Sequence, residues 1–183
     1  MQRKVVIGAM ALCLTASGAG AAVAAKSSTP SKHAKIDAVQ KVQFKVNRYV
    51  KDGLRWQKDV YQVKSGGTLT ITNKAHDGPH TFSVVNRKDL PKTVKQINNC
   101  QICQTIAQEH GADPNSDAPP TNLFVENGTG QGTAPDVDRP GDSAFIAPNR
   151  GASVTLTVTA KKGSTLYFMC AIHPWMQAKV QVK

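Results

Sequence analysis

The sequence predicts an all-β protein, a sandwich or barrel, and three observations carry that reading. Short segments in which apolar and polar residues alternate follow one another along most of the chain. Gly, Asn, Asp and Pro bound these segments, as turns require. Strong helical periodicity is missing, and only "CQTIAQEHG" reads as a short helix. Setting aside the first 25 of the 183 residues leaves 158, enough for one domain that buries roughly two thirds of its unfolded surface.

In chain order, the first element is an export signal. Arg3 and Lys4 lead into "VVIGAMALCLTASGAGAAVAA", so residues 1–25 read as a secretory signal peptide cut near Ala25. Leu12 precedes Cys13 where lipidation needs a small residue. Residues 26–41, opening "KSSTPSKHAK", read as a flexible polar tail. No later stretch is long and apolar enough to span a bilayer. The expected domain is 42–183, and the expected location is the periplasm or the extracellular medium.

Within that domain, strands are predicted at "KVQFKVNRYV", "LRWQKDVYQV", "TLTITN", "HTFSVVN", "SVTLTVTA", "TLYFMC" and "MQAKVQVK". Between Asn86 and Ile146 the alternation lapses into "RKDLPKTVKQINNCQICQ" and a Pro/Gly/Asp-rich run. This insertion, about 86–146, is expected to lie over one end of the fold, since connections of that length are usually functional or mobile. "NGT" at Asn127 matches a glycosylation sequon.

Loss of Arg3 and Lys4 lowers the formal net charge from +11 to +9. Seven of the twelve acidic residues lie between Glu109 and Asp142 against the single base Arg139, which leaves the rest of the mature chain at +15. A basic body suits an anionic membrane, an acidic protein partner or a solvated surface. Export and the lack of an Arg-rich or aromatic-interleaved stripe set nucleic acid aside.

Cysteine usage is more specific. Cys13 leaves with the signal, and Cys100, Cys103 and Cys170 remain, an odd number that leaves one thiol to be explained. Cys100 and Cys103 could pair as a disulfide in an oxidising compartment, which would give Cys170 another task. The disulfide is the plainer outcome; the alternatives are that they join His110 as a second soft-metal site, or form a thiol redox pair, although no βαβ pattern surrounds them. His33 and His76 read as ordinary loop residues.

Side chains alternate across a strand, so parity assigns faces. Cys170 shares a face with Leu166 and Phe168, Met176 with Ala178, Val180 and Val182, and His80 with Phe82 and Val84. Between Cys170 and Met176, "AIHPW" carries His173 and reverses the chain. Pro174 and Pro79 stiffen the backbone beside His173 and His80. Taken singly, a buried Cys, a core Met and a structural His are the plainer readings. Together, His80, Cys170, His173 and Met176 are two imidazoles, one thiolate and one thioether, the donor composition of a blue-copper electron-transfer centre. Structural zinc takes four strong ligands and catalytic zinc keeps an open position, so a thioether serves neither.

"CAIHPWM", preceded by "STLYFM" and joined to the upstream "GPHTFSVV" and "YQVKSGGTLTITNKAHDGPHTF", resembles the copper-loop and first-histidine segments of the cupredoxins. The short C-x-x-H-x-x-M spacing is closest to that of amicyanin-like and plastocyanin-like members. The resemblance covers roughly residues 42–86 and 145–183. It implies a Greek-key β-sandwich with one type 1 copper at one end, His80, Cys170 and His173 in the trigonal plane and Met176 axial. Many small cupredoxins have Asn directly after the first histidine, tying the two ligand loops; here Thr81 offers a hydroxyl instead. The insertion has no counterpart in amicyanin.

The expected function is one-electron transfer rather than catalysis, because the protein fills all four coordination positions. The resemblance implies electron exit through the edge of His173, with Ile172, Pro174 and Trp175 as a docking patch for an acidic-surfaced redox partner. The chain itself is expected to be a monomer. The other reading is copper delivery or buffering, with Cys100, Cys103 and His110 as the second site.

Overall fold

A computed structural model describes residues 29–183 except Asp77, Pro114 and Asp117. The signal peptide expected at 1–25 lies outside the described residues. Among the described residues the regular structure is mainly β, in fourteen strands. They are β1 (His33–Val39), β2 (Gln43–Lys45), β3 (Tyr49–Lys51), β4 (Arg55–Trp56), β5 (Val60–Val63), β6 (Gly67–Asn73) and β7 (His80–Val85), followed by β8 (Phe124–Glu126), β9 (Thr129–Gln131), β10 (Asp136–Val137), β11 (Ser143–Ile146), β12 (Ser153–Val158), β13 (Thr165–Met169) and β14 (Gln177–Val182). Two helices, α1 (Val94–Asn98) and α2 (Gln101–Glu109), lie between β7 and β8.

The strands form a five-stranded sheet, β10-β12-β6-β1-β4, and a seven-stranded sheet, β5-β14-β13-β7-β11-β8-β9. The chain crosses repeatedly between them, and β1–β6 and β5–β14 pair in parallel, as Greek-key crossovers allow. Ile36, Leu69 and Leu156 of one sheet meet Phe82, Phe168 and Val180 of the other in a single core. The Phe82 and Phe168 rings stand 4.5 Å apart, and Phe168 also meets Trp56 at 5.5 Å. Each such side chain removed from water contributes about 1.5–3 kcal/mol. The all-β sandwich is therefore as the alternation predicted.

Three expectations are corrected. Residues 33–39, assigned to the flexible tail, form β1, an interior strand of the five-stranded sheet between β6 and β4, with Ile36 and Ala38 buried. It pairs with β6, in register from His33 opposite Thr68 to Ala38 opposite Asn73, and at its end with β4, Ala38 opposite Trp56. A strand only half apolar looks like tail until those partners are known. "KVQFKVNRYV" is not one strand but the hairpin β2–β3, turned at Asn47, whose φ of 54° is left-handed, and exposed at every strand residue. It pairs with neither large sheet.

The insertion is the third correction. It does not merely cover an end: β8, β9 and β11 extend the seven-stranded sheet, β10 joins the other, and α2 packs on the outer face of β7. Every residue of β7 is consequently buried. Phe82 and Val84 enter the sandwich core, while Val85 on the opposite face packs with Ile106, Met169 and the cysteines of α2. Thr81 and Ser83, a polar pair on that outer face, are thereby sealed from water.

Candidate metal centre

Strand pairing brings the expected residues together. β7 and β13 run antiparallel, with Met169 opposite Ser83, so the start of β7 and the end of β13 lie at the same end of the sheet. His80 opens β7 and Cys170 directly follows β13. The chain then turns through Ile172 and His173, and Met176 N–H donates to the His173 carbonyl at 2.8 Å. Cys170 N–H donates to the Met176 carbonyl at 3.0 Å, which closes the loop on itself before β14.

Nδ1 of His80 stands 3.9 Å and Nδ1 of His173 3.6 Å from Cys170 Sγ. The three donor atoms lie within 4.8 Å of one another. His80, Cys170 and Met176 are buried, whereas His173 keeps part of its ring at the surface. Burial, reinforced by repulsion from His173, pushes the His80 imidazole down to about 4. Burial also lowers His173, against a partial offset from Asp52. Both rings therefore keep a free nitrogen lone pair at neutral pH. Burial raises the Cys170 thiol, opposed by the N–H groups of Thr81, His173 and Ile172 and by the Thr81 hydroxyl.

This donor set fits a soft cation. Neutral imidazoles converge on a sulfur whose ionisation is costly only while no positive charge accompanies it. A sulfur and two imidazole nitrogens at these separations suit copper better than the oxygen-seeking ions. His80 Nε2, buried without a hydrogen-bond partner, is the one exposed weakness of the arrangement, since most ligating imidazoles have their second nitrogen bonded.

The supports of the site include residues that sequence reasoning did not single out. Asn73 is fully buried; its amide donates to the carbonyls of Gly78 and Ala147 at 3.1 Å, and its Oδ1 accepts from Ala75 N–H at 3.0 Å. It ties the segment leading into His80 to the strand end after β11. A signal was present: Asn73 shares parity with Leu69 and Ile71, a polar residue on a core face. Trp56 donates its indole N–H to the Met176 carbonyl at 3.1 Å and stands 6.1 Å from the His80 ring. Thr81, whose place Asn takes in many cupredoxins, does join the two ligand loops. Its N–H donates to Cys170 Sγ at 3.3 Å and its hydroxyl accepts from Ala171 N–H at 2.8 Å.

Outside the metal loop, Ile172 and Trp175 are 43% and 46% exposed, and Trp175 meets His173 edge-on at 5.4 Å while donating its indole N–H to the Leu54 carbonyl. Pro174 is corrected: it is buried, because the turn that projects Trp175 outward faces Pro174 inward, and so it cannot serve the docking patch. The second soft-metal site is corrected as well. Cys100 and Cys103 form a disulfide, and both ring nitrogens of His110 are engaged, with the Asn122 carbonyl at 2.6 Å and Ser143 Oγ at 2.8 Å. Neither sulfur nor imidazole is left to coordinate. His33 lies in β1 rather than in a loop.

No family model and no curated protein sequence matches the chain. Among solved structures it is similar to auracyanin from Roseiflexus castenholzii, at 17% identity and a TM-score of 0.47, over 85% of this chain and 99% of that one. Auracyanin A, a "blue" copper protein from Chloroflexus aurantiacus, aligns at 18% identity and 0.42, over 82% and 99%. A purple cupredoxin from Nitrosopumilus maritimus aligns at 15% and 0.36, over 82% and 99%. As a β-sandwich that gathers His80, Cys170 and His173 at one end, on a loop closed by Met176, the chain resembles the cupredoxins.

Proposed function

We propose that this protein is an exported one-electron carrier that holds one type 1 copper through His80, Cys170, His173 and Met176. The observation that carries the reading is the convergence of both Nδ1 atoms on the buried Cys170 sulfur, at 3.9 and 3.6 Å. Copper bound there supplies a centre that takes up and releases one electron between Cu(II) and Cu(I). The protein's own part is to hold the donors still. Asn73 braces the approach to His80, Thr81 links Cys170 and Ala171 to β7, and Trp56 anchors Met176. Donors fixed in this way change little between oxidation states, which favours fast transfer. With four protein donors no position is open for substrate, which supports a carrier rather than an enzyme.

His173, partly exposed and flanked by Ile172 and Trp175, is the proposed point of electron exit. The β2–β3 hairpin rises from the same end, since Leu54 accepts from Trp175 and the Gln40 side chain accepts from His76 N–H at 3.1 Å. Lys45, Arg48 and Lys51 on that hairpin suit a redox partner with an acidic surface. The Cys100–Cys103 disulfide supports an oxidising compartment, in keeping with the signal peptide. Among the described residues no helix is long and apolar enough to cross a membrane. Copper delivery loses its motif to the same disulfide.

The test is to load the mature protein with Cu(II) and record visible and electron paramagnetic resonance spectra. An intense blue thiolate band that bleaches reversibly on reduction is expected, and Cys170→Ser should abolish it. A colourless copper complex, or a band that survives Cys170→Ser, would refute the proposal.

A further inference from the structure

The insertion places a buried imidazole at the end of a hydroxyl chain that reaches the metal loop. His110 Nε2 meets Ser143 Oγ at 2.8 Å, Ser143 Oγ meets Ser83 Oγ at 2.7 Å, and Ser83 Oγ donates to Thr81 Oγ1 at 2.9 Å. Thr81 Oγ1 in turn accepts from Ala171 N–H, and Thr81 N–H donates to Cys170 Sγ. All four residues of the chain are buried, Thr81 at 4% exposure being the most open. A polar row of this kind inside an apolar layer is costly unless every proton is placed, so its proton count is informative.

Each hydroxyl has one proton to donate, and a carbonyl has none. His110 Nδ1 faces the Asn122 carbonyl at 2.6 Å and must carry a hydrogen. With the Ser83 proton directed to Thr81, Ser143 must donate to Ser83, and His110 Nε2 must then donate to Ser143. Both ring nitrogens are protonated in that arrangement, and His110 is a cation. If His110 is neutral, Ser143 donates to Nε2 and Ser83 to Ser143, so the donation from Ser83 to Thr81 seen in the structure is lost and the Thr81 hydroxyl must rotate to donate to Ser83. The difference reaches the sulfur. In the cationic arrangement Thr81 Oγ1 only accepts, from Ser83 and Ala171, and its own hydrogen is free to turn to Cys170, whose thiolate the Thr81 hydroxyl favours. In the neutral arrangement that hydrogen is committed to Ser83.

We propose that His110 is a positioning residue of the metal centre: through Ser143, Ser83 and Thr81, its protonation decides whether the Cys170 sulfur receives one hydrogen bond from Thr81 or two. The inference rests on the copper reading above. A cavity of about 510 Å³ lined by His110, Thr81, Phe145 and Ile172 gives protons a way to the ring. Among the described residues no carboxylate bears on it. Glu109 on α2 is directed toward Gly128, and Asp142 before β11 accepts from the N–H groups of Asn127, Asp138 and Arg139. On β7, His80 faces the other side of the sheet, and residues 118–123 bring no charge. Burial lowers the His110 pKa and its bond to Asn122 raises it, so the switch falls on the acid side of the ordinary histidine value.

A second hydrogen bond draws charge from the thiolate, favours reduced copper and weakens the thiolate-to-copper transition. Acidification through the His110 step should therefore raise the reduction equilibrium by up to about tenfold, about 59 mV for a one-electron couple, and shift the blue band to higher energy. The experiment titrates potential and band position against pH in the copper-loaded full mature chain, in wild type, His110→Gln and Ser143→Ala. Gln keeps a donor and an acceptor at position 110 but cannot titrate, and Ala at 143 cuts the chain while leaving His110 in place. Wild type should show the step and both variants should lack it at equal copper content. A step that persists in His110→Gln, or is absent from wild type with an intact blue band, overturns the inference. Absence of the blue band in wild type would instead overturn the copper reading. Nitrogen-15 shifts of the His110 ring in the metal-free chain supply a copper-independent readout. A neutral form protonated at Nδ1 and an acid form protonated at both nitrogens are expected, and a neutral form protonated at Nε2 would refute the chain.

Discussion

His80 offers a direct test of how burial prepares a ligand. In the metal-free protein its imidazole is held at about 4 against an ordinary 6.5. As pH falls through 6.5 the unfolded chain takes up a proton at this residue, while the folded chain does not until about pH 4. The unfolded state then binds more protons, so stability falls with falling pH, beginning near 6.5 and complete below about 4. The difference of the two values corresponds to about 3 kcal/mol from this one residue. His173 and His110, both lowered by burial, add losses of the same sign. Urea unfolding of the metal-free protein at a series of pH values measures the sum, and the same series on His80→Gln isolates the His80 share. The wild-type and variant curves should diverge by about 3 kcal/mol between neutral pH and pH 4. Parallel curves would show that His80 is not kept neutral by its surroundings, and that its free lone pair is not a product of burial.

Three further outcomes follow from the same geometry. Thr81→Val leaves Ala171 N–H without its buried acceptor, breaks the hydroxyl link between Thr81 and Ser83, and should destabilise the metal-free protein by about 1–3 kcal/mol in urea unfolding. Asn73→Ala removes the brace between the His80 approach and Ala147; a loss of about 2–3 kcal/mol and faster copper loss to a chelator are expected, and unchanged values would show the brace to be idle. Oxidation of the reduced protein by anionic ferricyanide should slow, and oxidation by a cationic cobalt(III) phenanthroline complex should quicken, as salt rises from about 0.01 M to about 1 M. Stopped-flow rates insensitive to salt for both oxidants would remove the argument for an acidic partner.

Parity was a sound guide wherever one face of a strand met the core. It placed Cys170 with Phe168 and Met176 with Val180, and both are buried. It was blind on β7, where Thr81 and Ser83 are buried as deeply as Phe82, because α2 covers the face that alternation would assign to water. β1 escaped notice for another reason: its backbone pairs with β6 and β4, distant in sequence, and two of the three core-facing residues, Ala34 and Ala38, are small.

The local spacing of Cys170, His173 and Met176 was enough by itself to put three donors on one tight turn, since the reach of a few residues is set by backbone sterics. The odd cysteine number and the alternating strands were likewise legible, because they depend on composition and on partition between water and core. Everything that needed a partner distant in sequence was decided by the tertiary structure. The register of β7 against β13 brings His80 to Cys170 across ninety residues. The same packing chooses Asn73 and Thr81 as braces. Alternation states which face is apolar, whereas hydrogen-bond register and the cover on the second face arise only when the whole chain has packed.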